Sequence, residues 1–388
     1  MHSYKNSYLS YFLMYLFWYL SWALAGQLVS VYLLGKGFSA AEVALVVSGA
    51  SLATMAVQPL IGAAGDRYDV KRVNYVLFGL TILGGVLFML SESFVAVLAA
   101  YGLLMALLNG ANPVMERVAT ASPFEYGRIR VWGTIGYAGG TWLAGFLYDA
   151  VAPEAIYLAL VASMVVTIVG LWGTEPEFKE GAVAMENPRE KVSARTLLAN
   201  RPFIYYLVFM ALRAGAVAAP NMYFPAFLTT TGMDTTLAST ILSVAVVCEL
   251  PLVLFSALFM DRISNKALLV AGFSCILAQM ASYALMLPQP VQVVLTLLGK
   301  HPAGMLLIMT NLKVVNTIVD QRQQLTALAL VSTAQNLTTV ALNPVAGAVL
   351  DASGYQAMFM LGFAAMAAAF ALMALFKVKD GNGSGLFA

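Results

Sequence analysis

Five ionisable side chains stand inside long apolar runs, where no water is on hand to solvate them: Glu116, Arg130, Arg213, Glu249 and Lys300, with His301 next to the last. Placing such a group at mid-bilayer costs at least ~2.5–3.5 kcal/mol, so each must be paired or line a wet cavity. Glu249 lies about 14 residues into its run. Desolvation disfavours a bare carboxylate there, so it either loads and releases a proton or forms a structural ion pair with a neighbouring cation. Arg213 could grip a carboxylate or phosphate through two parallel N–H groups, or it could be the partner of Glu249. Lys300 could hold an anion or act as a counter-charge to Glu249. His301 could titrate near neutrality or be an ordinary core residue. Adjacent helical residues point in different directions, so one of these two is expected to face a cavity and the other a neighbour. Two carboxylates against three cations leave one excess positive charge, which implies an anionic or zwitterionic ligand such as an organic acid.

Polar and aromatic residues accompany these charges. Tyr11, Tyr15, Tyr19 and Trp22 recur on one helical face, as a packing stripe or as rings that stack on a ligand. Asn221, Gln335 and Asn336 are candidate hydrogen-bond partners for a ligand, although mid-span amides also join helices to one another. Pro220 and Pro225, following Arg213, are expected to break their helix and free backbone carbonyls.

The elements that must position these residues are membrane helices. The chain is 61% hydrophobic and 10% charged, whereas a soluble domain is near half apolar and a quarter charged. Runs of roughly 20 apolar residues cross a bilayer core. Twelve are expected, at about 8–34, 41–62, 73–91, 94–118, 128–149, 154–173, 203–229, 235–258, 267–287, 290–318, 324–349 and 355–376. The first is too long for the apolar part of a cleavable leader. The polar stretch in the middle divides the chain into an N-terminal six-helix bundle (1–173), a linker (174–201) and a C-terminal six-helix bundle (202–378), with a flexible tail (379–388).

An acidic loop motif appears in each half. Gly62-Ala63-Ala64-Gly65-Asp66-Arg67-Tyr68-Asp69-Val70-Lys71-Arg72 is matched by a more eroded copy running from Ser256 through Asp261, Arg262 and Lys266. Asp66 and Asp261 are 195 positions apart in a chain of 388, the mark of a tandem duplication. A second repeat links Gly145–Asp149 to Gly347–Asp351. Glycines 133, 136, 139, 140 and 145 should allow close helix approach. With the N-terminus placed in the cytoplasm, all of the 21 Lys and Arg residues except Lys36, Arg213, Lys300 and Lys313 fall in or beside cytoplasmic segments. Both termini are therefore expected inside, in a multi-pass protein of the cell (inner) membrane. Lys313 lies nearer the cytoplasm, where it can snorkel.

These residues resemble the major facilitator superfamily, and more narrowly its lactose-permease-like branch of oligosaccharide, phenylpropionate and nucleoside proton symporters. Gln58-Pro59-Leu60-Ile61-Gly62 followed by Asp66, Pro113-Val114-Met115-Glu116, and Tyr126-Gly127-Arg128-Ile129-Arg130 carry the resemblance. The C-half departs from it. Gln279 stands where the family often has Arg, and Leu297-Leu298-Gly299-Lys300-His301-Pro302 contains no carboxylate. The resemblance implies an all-α fold of two pseudo-symmetric six-helix bundles. It implies transport by alternating access, coupled to protons through Glu249 or Glu116, of a sugar, nucleoside or organic acid. It also implies that Glu116 and Arg130 face each other and hold substrate, the alternative being a structural salt bridge between them. Gly62, Asp66, Arg67, Lys71 and Arg72, with Asp261, Arg262 and Lys266, would form latches that break as the protein turns inward.

The alternative within the same fold is a proton-coupled exporter. Such families often carry a Gly-Pro element in the fifth span, where this chain has Gly139-Gly140-Thr141-Trp142. An enzyme is not expected, since nucleotide loops, metal-ligand clusters and Ser-His-Asp groupings are missing from the sequence. A net charge of +2 gives no reason for a nucleic-acid partner. The expected partners are a small-molecule substrate and the lipid bilayer. No cofactor beyond protons is expected, and the chain is taken as a monomer. Cys248 and Cys275 lie in apolar runs and read as packing residues.

Overall fold

The computed structural model describes residues 4–176, 194–320 and 323–377, and the regular elements among them are helices. Most of the expected linker and nearly all of the residues beyond 376 lie outside the described residues. In chain order the helices are α1 (Tyr8–Gly26), α2 (Val29–Gly35), α3 (Ala40–Arg67), α4 (Val70–Leu90), α5 (Phe94–Thr120), α6 (Tyr126–Ala150), α7 (Ala155–Gly173), α8 (Ala194–Ala199), α9 (Arg201–Thr230), α10 (Thr235–Val247), α11 (Leu250–Leu254), α12 (Ser256–Phe259), α13 (Asn265–Ala284), α14 (Gln289–Gly299), α15 (Pro302–Ile318) and α16 (Gln324–Leu375).

Among the described residues, ten helical stretches are long and apolar enough to cross a membrane. The expected twelve are reached only by adding α6, which carries Arg128, Arg130 and Asp149, and by dividing α16 at Gly354. That glycine turns the chain with a φ of 81° inside what is otherwise one run of helical hydrogen bonding.

Three expectations about individual spans change. The first span divides into α1 and α2. The eighth and tenth are each interrupted near their middle, at Cys248–Glu249 and at Lys300–His301. In both, a proline follows at once, Pro251 in the first turn of α11 and Pro302 opening α15. Proline lacks the N–H that would continue the ladder, and its ring suits the first turn of a new helix. The seventh span is the reverse case. Here α9 runs unbroken through Pro220 and Pro225. Gly362 of α16 lies against the Pro220 ring and the Ala216 carbonyl, which is four residues before that proline. A Cβ on Gly362 would come 2.6 Å and 2.9 Å from them. Gly362 thus lets α16 pack closely on α9 at this proline.

Caps set the other helix ends. Ser39 and Glu42 form a reciprocal capping box at α3. Asp69 accepts from Arg72 N–H at α4, and Ser264 accepts from Ala267 N–H at α13. Asp69 and Ser264 are themselves 195 positions apart, so the duplication keeps the cap and exchanges one capping side chain for another.

The chain condenses into two compact units, Met1–Val183 with Met222–Val247, and Ala184–Asn221 with Cys248–Ala388. The boundary cuts α9 after Asn221 and returns at the break after Val247. In the first unit α1 packs on α6 and α7, α3 on α5, and α10 on α6. Gly136 and Gly140 of α6 sit against the backbone carbonyls of Leu16 and Leu20, and Gly145 sits against the Ser239 hydroxyl of α10. Gly139 faces open space. Beside Gly145, the Asp149 carboxylate accepts from Thr236 N–H (2.6 Å) and Oγ1 (2.7 Å), capping α10. In the second unit α13 packs on α14, α15 and α16.

Candidate functional site

In the first unit the chemistry gathers around Glu116 of α5. Tyr15 and Tyr19 lie four apart on α1 and therefore share a face. Their hydroxyls donate to Glu116 Oε1 at 2.7 Å and 3.1 Å. Tyr126, in the first turn of α6, donates to Oε2 at 2.7 Å. Arg130, one turn further along α6, places its guanidinium 4.9 Å from the centre of the Tyr19 ring. Gly133 makes this convergence possible, because a Cβ there would come within 2.8 Å of Tyr15, Tyr19 and Arg130. Glu116 and Arg130 are therefore neighbours that do not touch as an ion pair. Tyr19 stands between them, bonded to one and stacked under the other. A structural salt bridge, the alternative to a shared grip on substrate, is not formed, and three tyrosine hydroxyls bond the carboxylate instead. Trp22 extends the aromatic wall, 5.7 Å from Tyr19 and 6.1 Å from Tyr137, whose hydroxyl accepts from Gln27 Nε2 at 2.6 Å.

In the second unit the two helix breaks meet. His301 Nδ1 and Glu249 Oε2 are 3.7 Å apart, an ion-pair separation rather than a hydrogen bond. Both side chains are largely buried. The partner of Glu249 is thus His301, and neither Arg213 nor Lys300 reaches it. His301 faces its neighbour, as one of the adjacent pair was expected to do.

Beside the breaks runs a buried polar chain. Gln279 Nε2 donates to Asn221 Oδ1 (3.1 Å) and to the Tyr283 hydroxyl (2.8 Å). Tyr283 lies 2.5 Å from Thr296 Oγ1, which donates to the Gln292 carbonyl. Gly299 leaves the space that Gln279 fills, since a Cβ there would meet Gln279 Oε1 at 2.5 Å. Asn221 therefore has its oxygen engaged and keeps its amide N–H groups for another partner. Gln335 is half-buried and Asn336 exposed on α16, and neither amide has a hydrogen-bond partner among the described residues.

The loop motifs behave alike in the two units. Lys71 donates to the carbonyls of Trp172 (3.3 Å) and Thr174 (2.7 Å) at the end of α7. Lys266, 195 positions on, donates to Met373 (2.6 Å), Ala374 (2.8 Å) and Phe376 (3.0 Å) at the end of α16. Each ammonium caps the C-terminus of a helix in its own unit, Lys71 that of α7 and Lys266 that of α16, where the helix dipole favours a cation. Arg117 donates to the Gly65 carbonyl (3.1 Å), and Lys313 to those of Met260 (2.5 Å) and Ile263 (2.7 Å). Gly65 and Met260 are the residues just before Asp66 and Asp261, so one arrangement is built twice. Lys313 anchors the second loop instead of merely snorkelling. Arg117 is absent from the sequence-based candidates, although copying Lys313 back by the repeat length leads to within one residue of it. Arg67, Arg72 and Arg262 are exposed. A Cβ on Gly62 would meet nothing within 4 Å. The Asp66 side chain lies outside what is described.

Residues 8–312 match the model of the Major Facilitator Superfamily. The chain is 29% identical over 316 residues to a maltose permease of Geobacillus stearothermophilus, covering 80% of this chain and 79% of that protein. It is 26% identical over 196 residues to a lactose permease of Klebsiella oxytoca, covering 44% and 46%. The crystal structure of the nucleoside transporter NupG superimposes with a TM-score of 0.81 at 17% identity, covering 98% of this chain and 100% of that one. A D-xylose-proton symporter gives a TM-score of 0.70 at 12% identity, over 97% and 98%. At such identities the structural matches speak for the fold alone.

Proposed function

The chain belongs to the Major Facilitator Superfamily, and from that premise we propose that it is a proton-coupled symporter of a sugar- or nucleoside-like polar solute. It is a multi-pass membrane protein and not an enzyme. On this reading it works as a monomer in the inner membrane, with both termini in the cytoplasm, and opens alternately to the two sides. The observation that carries the reading is the meeting of Glu249 and His301 at two helix breaks. A carboxylate and an imidazole at 3.7 Å can share or exchange a proton, and interrupted backbone at membrane depth is tolerated only where protein or water covers it. Protonation removes the charge that would otherwise penalise a closed, dry state. Glu116, steadied by Tyr15, Tyr19 and Tyr126 and flanked by Arg130 and Trp22, offers acceptors and ring faces for a polyhydroxy solute. The maltose and lactose permeases to which the chain is similar favour a sugar.

The test is proton flux in proteoliposomes holding an internal pH dye. Maltose, other sugars, nucleosides, organic acids and amino acids are added outside, one class at a time. Internal acidification with one class, lost in Glu249→Gln, is the expected result. Ejection of preloaded solutes down an imposed proton gradient, with no response to any added class, would replace the importer by an exporter.

A further inference from the structure

We propose, resting on the symporter reading above, that the solute carries a carboxylate (a sugar acid rather than a neutral sugar) and that Arg213 receives it. In the second unit Glu249 is turned to His301. The other acids of this unit among the described residues stand at helix ends or turns: Asp261 in the loop before α13, Asp320 after α15, and Asp351 three residues before the Gly354 turn. Arg213 has no carboxylate within 4.0 Å among the described residues, and its Nε is buried without a hydrogen-bond partner. Lys300 likewise meets no carboxylate there. A guanidinium keeps its charge in proteins, so Arg213 cannot shed the cost of burial by losing a proton. A permanent cation held in a protein interior calls for a counter-ion, and the acid nearest this level, Glu249, is turned to His301.

The register of the helices places Arg213 beside the breaks. The Tyr206 hydroxyl of α9 donates to Asn311 Oδ1 of α15 at 2.9 Å. Further along α9, Asn221 is tied to Gln279, which packs on Gly299. Residue numbers rise along one helix as they fall along the other, so the two run antiparallel. Arg213 is seven residues beyond Tyr206, about 10 Å along the axis. Pro302 is nine residues back from Asn311, about 13 Å. Arg213 thus stands about 3 Å short of the level of Pro302, on the Tyr206 side of the break. A carboxylate at this level would meet Arg213 through paired N–H groups, with the Asn221 amide, about two turns further along α9, as a donor for hydroxyls.

The experiment uses the full chain in proteoliposomes with an internal pH dye. Glucuronate, glucose 6-phosphate, glucose and maltose are supplied at equal concentration. Glucuronate is expected to acidify the interior at the lowest concentration. Arg213→Gln should raise the half-saturating glucuronate concentration about 30-fold or more, since it leaves the bound carboxylate without its partner. Arg213→Lys should fall between, keeping the charge and losing the paired donors. A preference for glucose or maltose that Arg213→Gln leaves unchanged overturns the proposal and leaves the symporter standing. A preference for the phosphate overturns the carboxylate assignment. Proton flux with none of the four, alongside flux with a nucleoside, sinks the sugar acid only; flux with no solute of any class sinks the symporter as well. If Arg213→Gln does not fold, the glucuronate-to-glucose preference of the unaltered protein decides the question by itself.

Discussion

Glu116 and Glu249 are both carboxylates inside membrane helices, and they are held in opposite ways. Glu116 sits in an unbroken helix, and three tyrosine hydroxyls donate to it at 2.7–3.1 Å. Glu249 sits at a helix break, with one histidine at 3.7 Å as its partner. Three short hydrogen bonds fix the position of a carboxylate, whereas a contact at 3.7 Å constrains it less. On the proposed symporter reading the difference separates two tasks, with Glu116 and its tyrosines orienting a solute and Glu249 with His301 exchanging a proton. The backbone differs too, because Pro251 and Pro302 follow the helix breaks at which Glu249 and His301 stand.

The sharpest way to break this comparison is to neutralise each acid in turn. Glu249→Gln should reduce solute-driven proton flux to that of empty liposomes while leaving solute-for-solute exchange measurable. Glu116→Gln should weaken solute binding and keep whatever flux remains coupled to protons. Dye-loaded proteoliposomes assayed for flux and exchange separate the two outcomes. If Glu116→Gln uncouples and Glu249→Gln does not, the two tasks are the other way round.

A smaller effect is expected from the tyrosines. Tyr15→Phe removes a 2.7 Å bond to a charged acceptor, a contact worth about 1.5–3 kcal/mol. Solute affinity should fall about 10-fold to 100-fold, with the proton-to-solute ratio unchanged. His301→Asn should do the reverse, altering the pH dependence of flux more than affinity at saturating protons. Paired uptake and binding titrations would read both. A matched loss of affinity and coupling in either variant would mean that the two acids act as one site.

Much of this was legible in the chain. Composition and the 195-residue repeat gave the two-fold helical architecture, and Gln58-Pro59, Pro113 and Arg130 pointed to the family that residues 8–312 match. The partners of the charges were harder to read. Periodicity put Tyr15 and Tyr19 on one face, and only the folded chain places Glu116 of α5 against that face with Tyr19 between it and Arg130. Proline was an ambiguous signal. Pro251 and Pro302 begin new helices, while α9 runs unbroken through Pro220 and Pro225. The residue type alone does not tell the two outcomes apart. Lys71 and Lys266 were expected to bridge to acids or carbonyls, but which carbonyls was not legible, since they lie about a hundred residues away.

Two glycines offer a finer comparison of the acid sites. Gly133 clears space for Tyr15, Tyr19 and Arg130, and Gly299 clears space for Gln279. A methyl group in either place overpacks its surroundings, a change that typically costs about 1–3 kcal/mol. The two should nonetheless differ in function. Gly133→Ala presses on side chains that bond or stack at Glu116, so solute affinity should fall along with the melting temperature. Gly299→Ala presses on a buried amide one residue before Lys300 and two before His301, so the pH profile of flux should move.

The smallest expected effect separates the repeated lysine caps. Lys71 donates to two carbonyls at the end of α7 and Lys266 to three at the end of α16. A cation at a helix C-terminus contributes about 0.3–1 kcal/mol when exposed. Lys71→Met and Lys266→Met should therefore each lower the melting temperature in detergent by a few degrees or less, Lys266→Met by more. Because each lysine bonds within its own unit, neither change should by itself alter the balance between the two open states. Labelling of single cysteines on either membrane face would detect such an alteration. A large shift in labelling with little change in melting temperature would show that the ammonium also engages the facing half during the cycle, as the latch expectation holds.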